Sequence, residues 1–314
     1  MHRLVAGLAA FVALALVPAA LADGPGYVSQ GGSGVLAANR ETRYVAVPAG
    51  NATAIERVRV RGGSVVSWTT LDGFWGIPSP TISQAEGLSR DGGKLFVVNG
   101  GLGSPTKFAV IDTRTWRVRD RFTLKGFFSY DAISPDASTL FLIQHVSTSN
   151  FNRYVVRAYD LRSHTLRRGR IADRTQRGWV MEGAPMTRTT GAGGRWVYTL
   201  YQRPGGYPFI HALDTVNGVA HCTGLPWTGD QTPMWNVRLT VRDNGKTLAV
   251  HWKSGKPWLM LNTSTWRLAH VRADAAGFAL RWLLAGAAAV VILAFGLLVL
   301  GRRRLPRKAA PVPL

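Results

Sequence analysis

The chain alternates short apolar runs with polar turns, and the alternation recurs. Ser89-Arg90-Asp91-Gly92-Gly93 leads into Leu95-Phe96-Val97-Val98, and Phe108-Ala109-Val110-Ile111 then ends on Asp112-Thr113. The unit returns as Ser134-Pro135-Asp136 before Leu140-Phe141-Leu142-Ile143, followed by Val155-Val156-Arg157-Ala158-Tyr159-Asp160. It returns again as Asp243-Asn244-Gly245 before Leu248-Ala249-Val250, followed by Trp258-Leu259-Met260-Leu261-Asn262-Thr263. Aligned on Leu95, Leu140, Trp196 and Leu248, the copies stand 45, 56 and 52 residues apart. Aligned on Asp112, Asp160, Asp214 and Asn262, they stand 48, 54 and 48 apart. A weaker first copy occupies Arg43–Val47 and Ile55–Val60. A period near 50 residues marks a repeat architecture.

No unit holds a run of helical period. Each holds several short apolar or alternating runs bounded by Gly, Asp, Asn and Pro, the pattern of antiparallel strands and tight turns. Asp-Gly and Asn-Gly supply the positive φ that hairpin turns require. Asp-Thr and Asn-Thr at the second turn allow side chain to backbone bonds. About four strands per unit, arranged radially, make a β-propeller blade. The expected fold is all-β, a propeller of five four-stranded blades over residues 27–71, 73–126, 127–177, 178–227 and 234–272, plus one C-terminal transmembrane helix. A sixth blade would need a unit not recognised in the repeat.

Ser-x-Asp-Gly, then Leu-Phe-Val-Val-Asn, then Val-Ile-Asp-Thr-x-Thr-Trp resembles the YVTN-type repeat propellers, relatives of the WD-repeat proteins, across roughly residues 80–270. The resemblance implies the blade. It leaves surface-layer proteins, lactonases and quinoprotein-type dehydrogenase subunits equally open, because function resides in sites grafted on a fold. The fourth unit departs from the pattern, with Thr190-Gly191-Ala192-Gly193-Gly194-Arg195 where Ser-Pro-Asp-Gly would stand.

The two ends give the expected address. Met1-His2-Arg3, an apolar run Leu4–Val17 and Ala20-Leu21-Ala22 read as a secretory signal peptide over 1–22. Residues 23–275 form the extracytoplasmic propeller and 276–281 a short linker. Residues 282–301 carry no charge and are followed by Arg302-Arg303-Arg304 and Arg307-Lys308. Twenty apolar residues span a hydrocarbon core of ~30 Å. The basic cluster places the 302–314 tail in the cytoplasm. The expectation is a single-pass membrane protein with its N-terminal domain outside.

Charge changes the picture modestly. The chain has 38 Lys+Arg against 17 Asp+Glu, and residues 23–281 keep +15 of the net +21. Such a field beside a membrane favours anionic lipid headgroups or anionic envelope polymers as partners. The outside address disfavours nucleic acid. Arg57, Arg59 and Arg61, Arg117, Arg119 and Arg121, and Arg167, Arg168, Arg170 and Arg174 are expected on outermost strands. Charges there block edge-to-edge pairing. Cys222 is alone, so no internal disulfide forms.

Two places could hold a site. Aromatic residues mark the loops between blades and within the middle hairpins: Phe74, Trp75, Phe127, Phe128, Trp179, Tyr207, Trp235 and Trp252. They form either a ligand platform or packing wedged between blades. The other place is the axis, where Glu86, Asp131, Glu182 and Asn236 precede the innermost strands. A ring of such acceptors could hold Ca²⁺ or a cationic group, or each carboxylate could pair with an arginine. His145 and His251 could share one rim, though neither has a partnered carboxylate at a recognisable spacing. No Gly-x-Ser-x-Gly, His-Glu-x-x-His or dinucleotide fingerprint occurs.

The leading functional expectation is a membrane-tethered scaffold that binds a protein or an envelope polymer and performs no catalysis. The alternative is a propeller hydrolase of lactonase type using the axial acids, with or without Ca²⁺. A sensor ranks last, because the tail is too short for a signalling domain.

Overall fold

The computed structural model describes residues 27–31, 33–81, 84–99, 105–173, 175 and 180–271. The expected signal peptide, linker, membrane span and tail, and Trp179, lie outside the described residues. Among the described residues no helix is long and apolar enough to cross a membrane.

The described chain is all-β, five sheets each built on four antiparallel strands. After β1 (Tyr27–Ser29), the first sheet is β2 (Val35–Leu36), β3 (Thr42–Ala49), β4 (Ala52–Arg59) and β5 (Val65–Asp72). The second is β6 (Trp75–Ser79), β7 (Lys94–Asn99), β8 (Thr106–Asp112) and β9 (Arg117–Leu124). The third is β10 (Phe128–Ile133), β11 (Thr139–His145), β12 (Arg153–Asp160) and β13 (Thr165–Leu166), with β14 (Met181–Glu182) pairing β12. The fourth is β15 (Ala184–Thr190), β16 (Trp196–Gln202), β17 (Phe209–Asp214) and β18 (Val219–Gly224). The fifth is β19 (Val237–Arg242), β20 (Thr247–Trp252), β21 (Pro257–Asn262) and β22 (Leu268–His270). Consecutive strands pair in order within each sheet, the blade arrangement of a β-propeller.

Patterning follows position. Middle strands are buried on both sides, so β11 reads as an apolar run from Leu140 to Ile143. The outer strand β9 alternates exposed and half-buried positions, and Arg117, Arg119 and Arg121 take the exposed ones. Successive sheets pack through apolar clusters. Tyr44 and Ile55 meet Ile77 and Leu95 between the first two sheets, and Phe108 and Phe96 meet Tyr130 and Leu142 between the next two. Tyr154 meets Tyr201 and Phe209 between the third and fourth, and Tyr198 and Ile210 meet Leu239 and Leu259 between the fourth and fifth. Among the described residues no buried cluster joins the fifth sheet to the first.

The turns bear out the acidic repeat. Asp112 Oδ1 accepts the amides of Arg114 and Thr115, and Asp160 Oδ1 those of Arg162 and Ser163. Asp214 Oδ1 accepts Val216 and Asn217, and Asn262 Oδ1 accepts Ser264 and Thr265. The next residue ties this turn to the neighbouring one, as Thr215 Oγ1 donates to Gly194 O at 2.9 Å and Thr263 Oγ1 to Gly245 O at 2.6 Å.

Two placements differ from expectation. Tyr27–Ser29 pairs with Ile77–Ser79, so it belongs to the second sheet, and the first begins at Val35. The reason is local: Trp75 and Gly76 pair with β7, the chain then departs, and Gly87–Ser89 returns to finish the inner edge. That detour leaves Ile77–Ser79 free to take β1. Arg57 and Arg59 sit on the third strand of their sheet instead of the outermost, because Val65–Asp72 adds one more strand beyond them.

Candidate functional site

Two of the four proposed axial residues come together, and what joins them is an arginine. Asp131 lies in the innermost strand β10 at a register shift between Tyr130 and Ala132. An extra residue in a strand re-aims its side chain, here away from the packed faces. Glu86 enters from the second sheet, immediately before Gly87, whose φ is +98°. Between them stands Arg188 of β15, its Nε 3.2 Å from Glu86 Oε1 and its Nη2 3.6 Å from Asp131 Oδ1.

The cluster is deeply placed. The side chains of Arg188 and Asp131 are 1% and 3% exposed, and that of Glu86 is 19% exposed. Burial lifts both carboxyls above their ordinary range while Arg188 pulls them back, and Asp131 adds to the lift on Glu86. Burial alone would lower the guanidinium, but the two carboxylates raise it. Two acids and one base leave the fully ionised cluster one negative charge in excess. Arg188 Nε and Nη2 make the two ion pairs, while Asp131 Oδ2 and Arg188 Nη1 are buried without a hydrogen-bond partner. Such groups cost free energy unless something pairs with them.

Above the cluster opens a cavity of about 440 Å³. Glu86 and Tyr130 reach its wall from the cluster side. Its rim is made by turns between the first and second strands of successive sheets, notably Ser89-Arg90, Ser134-Pro135 and Gly191–Gly194. Arg90 Nη1 donates to Gly193 O at 3.0 Å, tying the second sheet to the fourth across this opening.

The other axial residues lie elsewhere. Glu182 pairs with β12 in β14 and accepts Asn150 Nδ2 at 3.1 Å. Asn236 ends an exposed 3₁₀ turn, Thr232–Asn236. Among the described residues no group of three or more His, Cys, Asp or Glu is placed to hold a metal ion. The two histidines proposed for one rim are each held locally. His145 bonds Ser129 Oγ at 2.7 Å and Phe151 O at 2.8 Å, and His251 bonds Thr240 Oγ1 at 2.9 Å.

The aromatic set divides between packing and surface. Trp75 and Phe128 are 5% and 1% exposed and belong to the core, with the Trp75 indole donating to Asp72 O at 2.9 Å. Phe127 is half-buried and stacks on His145 with ring centres 4.2 Å apart. Trp252 is half-buried in a group with Trp227 and Trp258, which meet edge to face at 5.2 Å. Phe74, Tyr207 and Trp235 are 49%, 68% and 41% exposed. All of these lie at the end of the sheets opposite the cavity rim.

Sequence reasoning missed Arg188 and two threonines. Thr53 Oγ1 and Thr106 Oγ1 each accept the amide that opens the next sheet, Trp75 N and Phe128 N, both at 2.9 Å. Each also donates to the crossing glycine, Gly73 O or Gly126 O. Arg188 had one visible signal, a lone cation inside the strand Ala184–Thr190 at the innermost position of its unit.

No family model matches the chain, and no curated protein matches it. Solved structures align with the chain at low identity. Hydrazine synthase of Kuenenia stuttgartiensis aligns with a TM-score of 0.48 and 13% identity over 80% of this chain and 67% of that one. TolB of Acinetobacter baumannii gives 0.43 and 14% over 77% and 56%, and the Dos1 propeller 0.45 and 9% over 77% and 58%. The chain thus spans between 56% and 67% of these chains. Their activities are not carried over.

Proposed function

We propose that the protein is a membrane-tethered, extracytoplasmic binding scaffold whose axial cavity receives a cationic side chain of a protein partner. The observation that carries this reading is the cluster under the cavity: Glu86 and Asp131 face one Arg188, with one negative charge in excess and Asp131 Oδ2 without a hydrogen-bond partner. Of the cluster's three charged groups only Glu86 lines the cavity, so an amine or guanidinium that passes Arg90 at the rim would meet its carboxyl. Pairing with a cation stabilises the ionised form of a carboxyl that burial disfavours. Tethering rests on the sequence, from the signal-like start and the uncharged run 282–301.

The hydrolase alternative expects Glu86, Asp131 and Glu182 to converge with a histidine or a metal in one pocket. Glu182 lies elsewhere, and the side chain between Glu86 and Asp131 is Arg188, which stays protonated and cannot serve as a base.

The test is a thermal melt of the full chain in detergent micelles with N-acetylarginine amide, and separately with Ca²⁺. A ligand of the native state raises the midpoint. We expect a rise with the arginine probe that Glu86→Gln abolishes. No rise, or an equal rise in the variant, overturns the reading. A rise with Ca²⁺ alone would reassign the cavity to a metal.

A further inference from the structure

Among the described residues, the end of the sheets opposite the cavity displays exposed aromatic side chains. Among the described residues the strongly exposed large aromatics are Trp68, Phe74, Tyr207 and Trp235. Trp68 lies on the outermost strand β5, and the other three lie on loops at one end of the sheets. The strongly exposed apolar residues toward the cavity end are Leu36, Val60, Val65, Val66 and Val216, with no aromatic among them.

On the fourth and fifth sheets this surface is built up further. Tyr207 projects from the β16–β17 loop and Trp235 from the β18–β19 connection. Between them the half-buried Trp227, Trp252 and Trp258 form one packed group, with ring centres 5.2 to 6.2 Å apart. Lys253 and Lys256 are exposed on the adjoining β20–β21 loop. The nearby acid, Asp230, is exposed and accepts the Thr232 amide and hydroxyl.

Chain direction adds an independent observation. β22 is antiparallel to its neighbour β21, which is antiparallel to β20, so β22 runs toward the end carrying the Lys253–Lys256 loop. The described chain therefore leaves the fifth sheet beside this aromatic and basic surface. Eleven residues further on, at Trp282, begins the uncharged run 282–301. Eleven residues reach at most about 40 Å.

We propose that the loop surface of the fourth and fifth sheets lies on the bilayer, with Tyr207 and Trp235 at headgroup level and Lys253 and Lys256 on anionic headgroups. Tyr and Trp suit that boundary because their rings are apolar and their polar tips stay hydrated. Lysines near an anionic leaflet are attracted by its negative surface potential. The contact orients the cavity away from the membrane, toward a partner. The inference rests on the tethering in the proposed function.

The test uses the full chain in vesicles containing phosphatidylglycerol, with Cys222→Ser and a fluorophore placed by Tyr207→Cys, Trp235→Cys or Val216→Cys. Cys222→Ala serves where Cys222→Ser does not fold. Lipids spin-labelled near the headgroup act as quenchers. We expect loss of fluorescence at 207 and 235 and none at 216, with the loss reduced by Lys253→Glu and Lys256→Glu. Co-flotation with the vesicles without preferential quenching at 207 and 235 overturns the contact and leaves the tether standing. Failure to co-float overturns both.

Discussion

Arg188 Nε lies 3.2 Å from Glu86 Oε1, joining the innermost strand of the fourth sheet to the residue that re-enters the second. Asp131 completes the contact from the third sheet, so three sheets converge on one guanidinium. The pair has little water to screen it, and its worth depends on keeping all three members.

Removing the cation alone should therefore be severe. Arg188→Met leaves Glu86 and Asp131 as neighbouring acids without their counter-charge. Breaking a buried pair from one side costs about 3–5 kcal/mol. A denaturant titration checks this, and the combination with Glu86→Gln and Asp131→Asn should recover part of the loss.

Gly87 holds Glu86 in place by backbone conformation. Its φ is +98°, and a Cβ there would stand 2.8 Å from Phe96 O and 3.0 Å from Pro78 Cδ. Gly87→Ala should cost on the order of 2 kcal/mol. It should also weaken the response to the arginine probe, because the displaced segment carries Glu86 with it.

The internal repeat predicts which turn acids tolerate amides. Asn262 already makes the two backbone bonds that Asp112 makes, so Asp112→Asn should leave stability little changed near neutral pH, its partner Arg119 being exposed. Asp214 differs, since its carboxylate is 2% exposed and takes two bonds from Arg195, at 2.7 and 3.0 Å. Asp214→Asn should cost about 1–2 kcal/mol, discounted for the half-exposed arginine. Asp112 and Asp136 titrate at about 2, Asp112 held down first by the Thr115 amide and Asp136 by the Ser134 hydroxyl. Their contribution is present above the ordinary carboxylate value and is lost as pH falls toward 2. Midpoints measured across that range check both statements.

His211 sets a second acid response. Burial, aided by Arg188, lowers its pKa from 6.5 to about 4. The native state holds it neutral while the unfolded chain takes a proton, so stability is lost as pH falls from 6.5 to 4. The linkage amounts to about 3 kcal/mol. His211→Phe should flatten the dependence of stability on pH between those values relative to the unsubstituted protein.

The repeat was legible because its determinants are local. Asp112, Asp160, Asp214 and Asn262 bond amides two and three residues away, and the apolar runs between them need only a period of two. Sequence alone therefore determined the all-β class, five units, most of their boundaries and the identity of the turn residues. It also offered both fates for the aromatics, burial and display, without dividing Trp75 and Phe128 from Tyr207 and Trp235. Equal composition on loops does not say which rings a neighbouring sheet will cover.

Tertiary structure decided what distant residues meet. Glu86, Asp131 and Arg188 stand 45 and 57 residues apart along the chain, and only the stacking of three sheets brings them within 4 Å. The bulge at Asp131 and the detour between Gly76 and Gly87 are likewise responses to packing. Glu182 and Asn236 carry the same acceptor chemistry, yet the fold places them at the loop end. Local patterns specify strands and turns because their partners lie within a few residues. A site on the axis is set by chain segments whose separation in sequence carries no information about their distance in space.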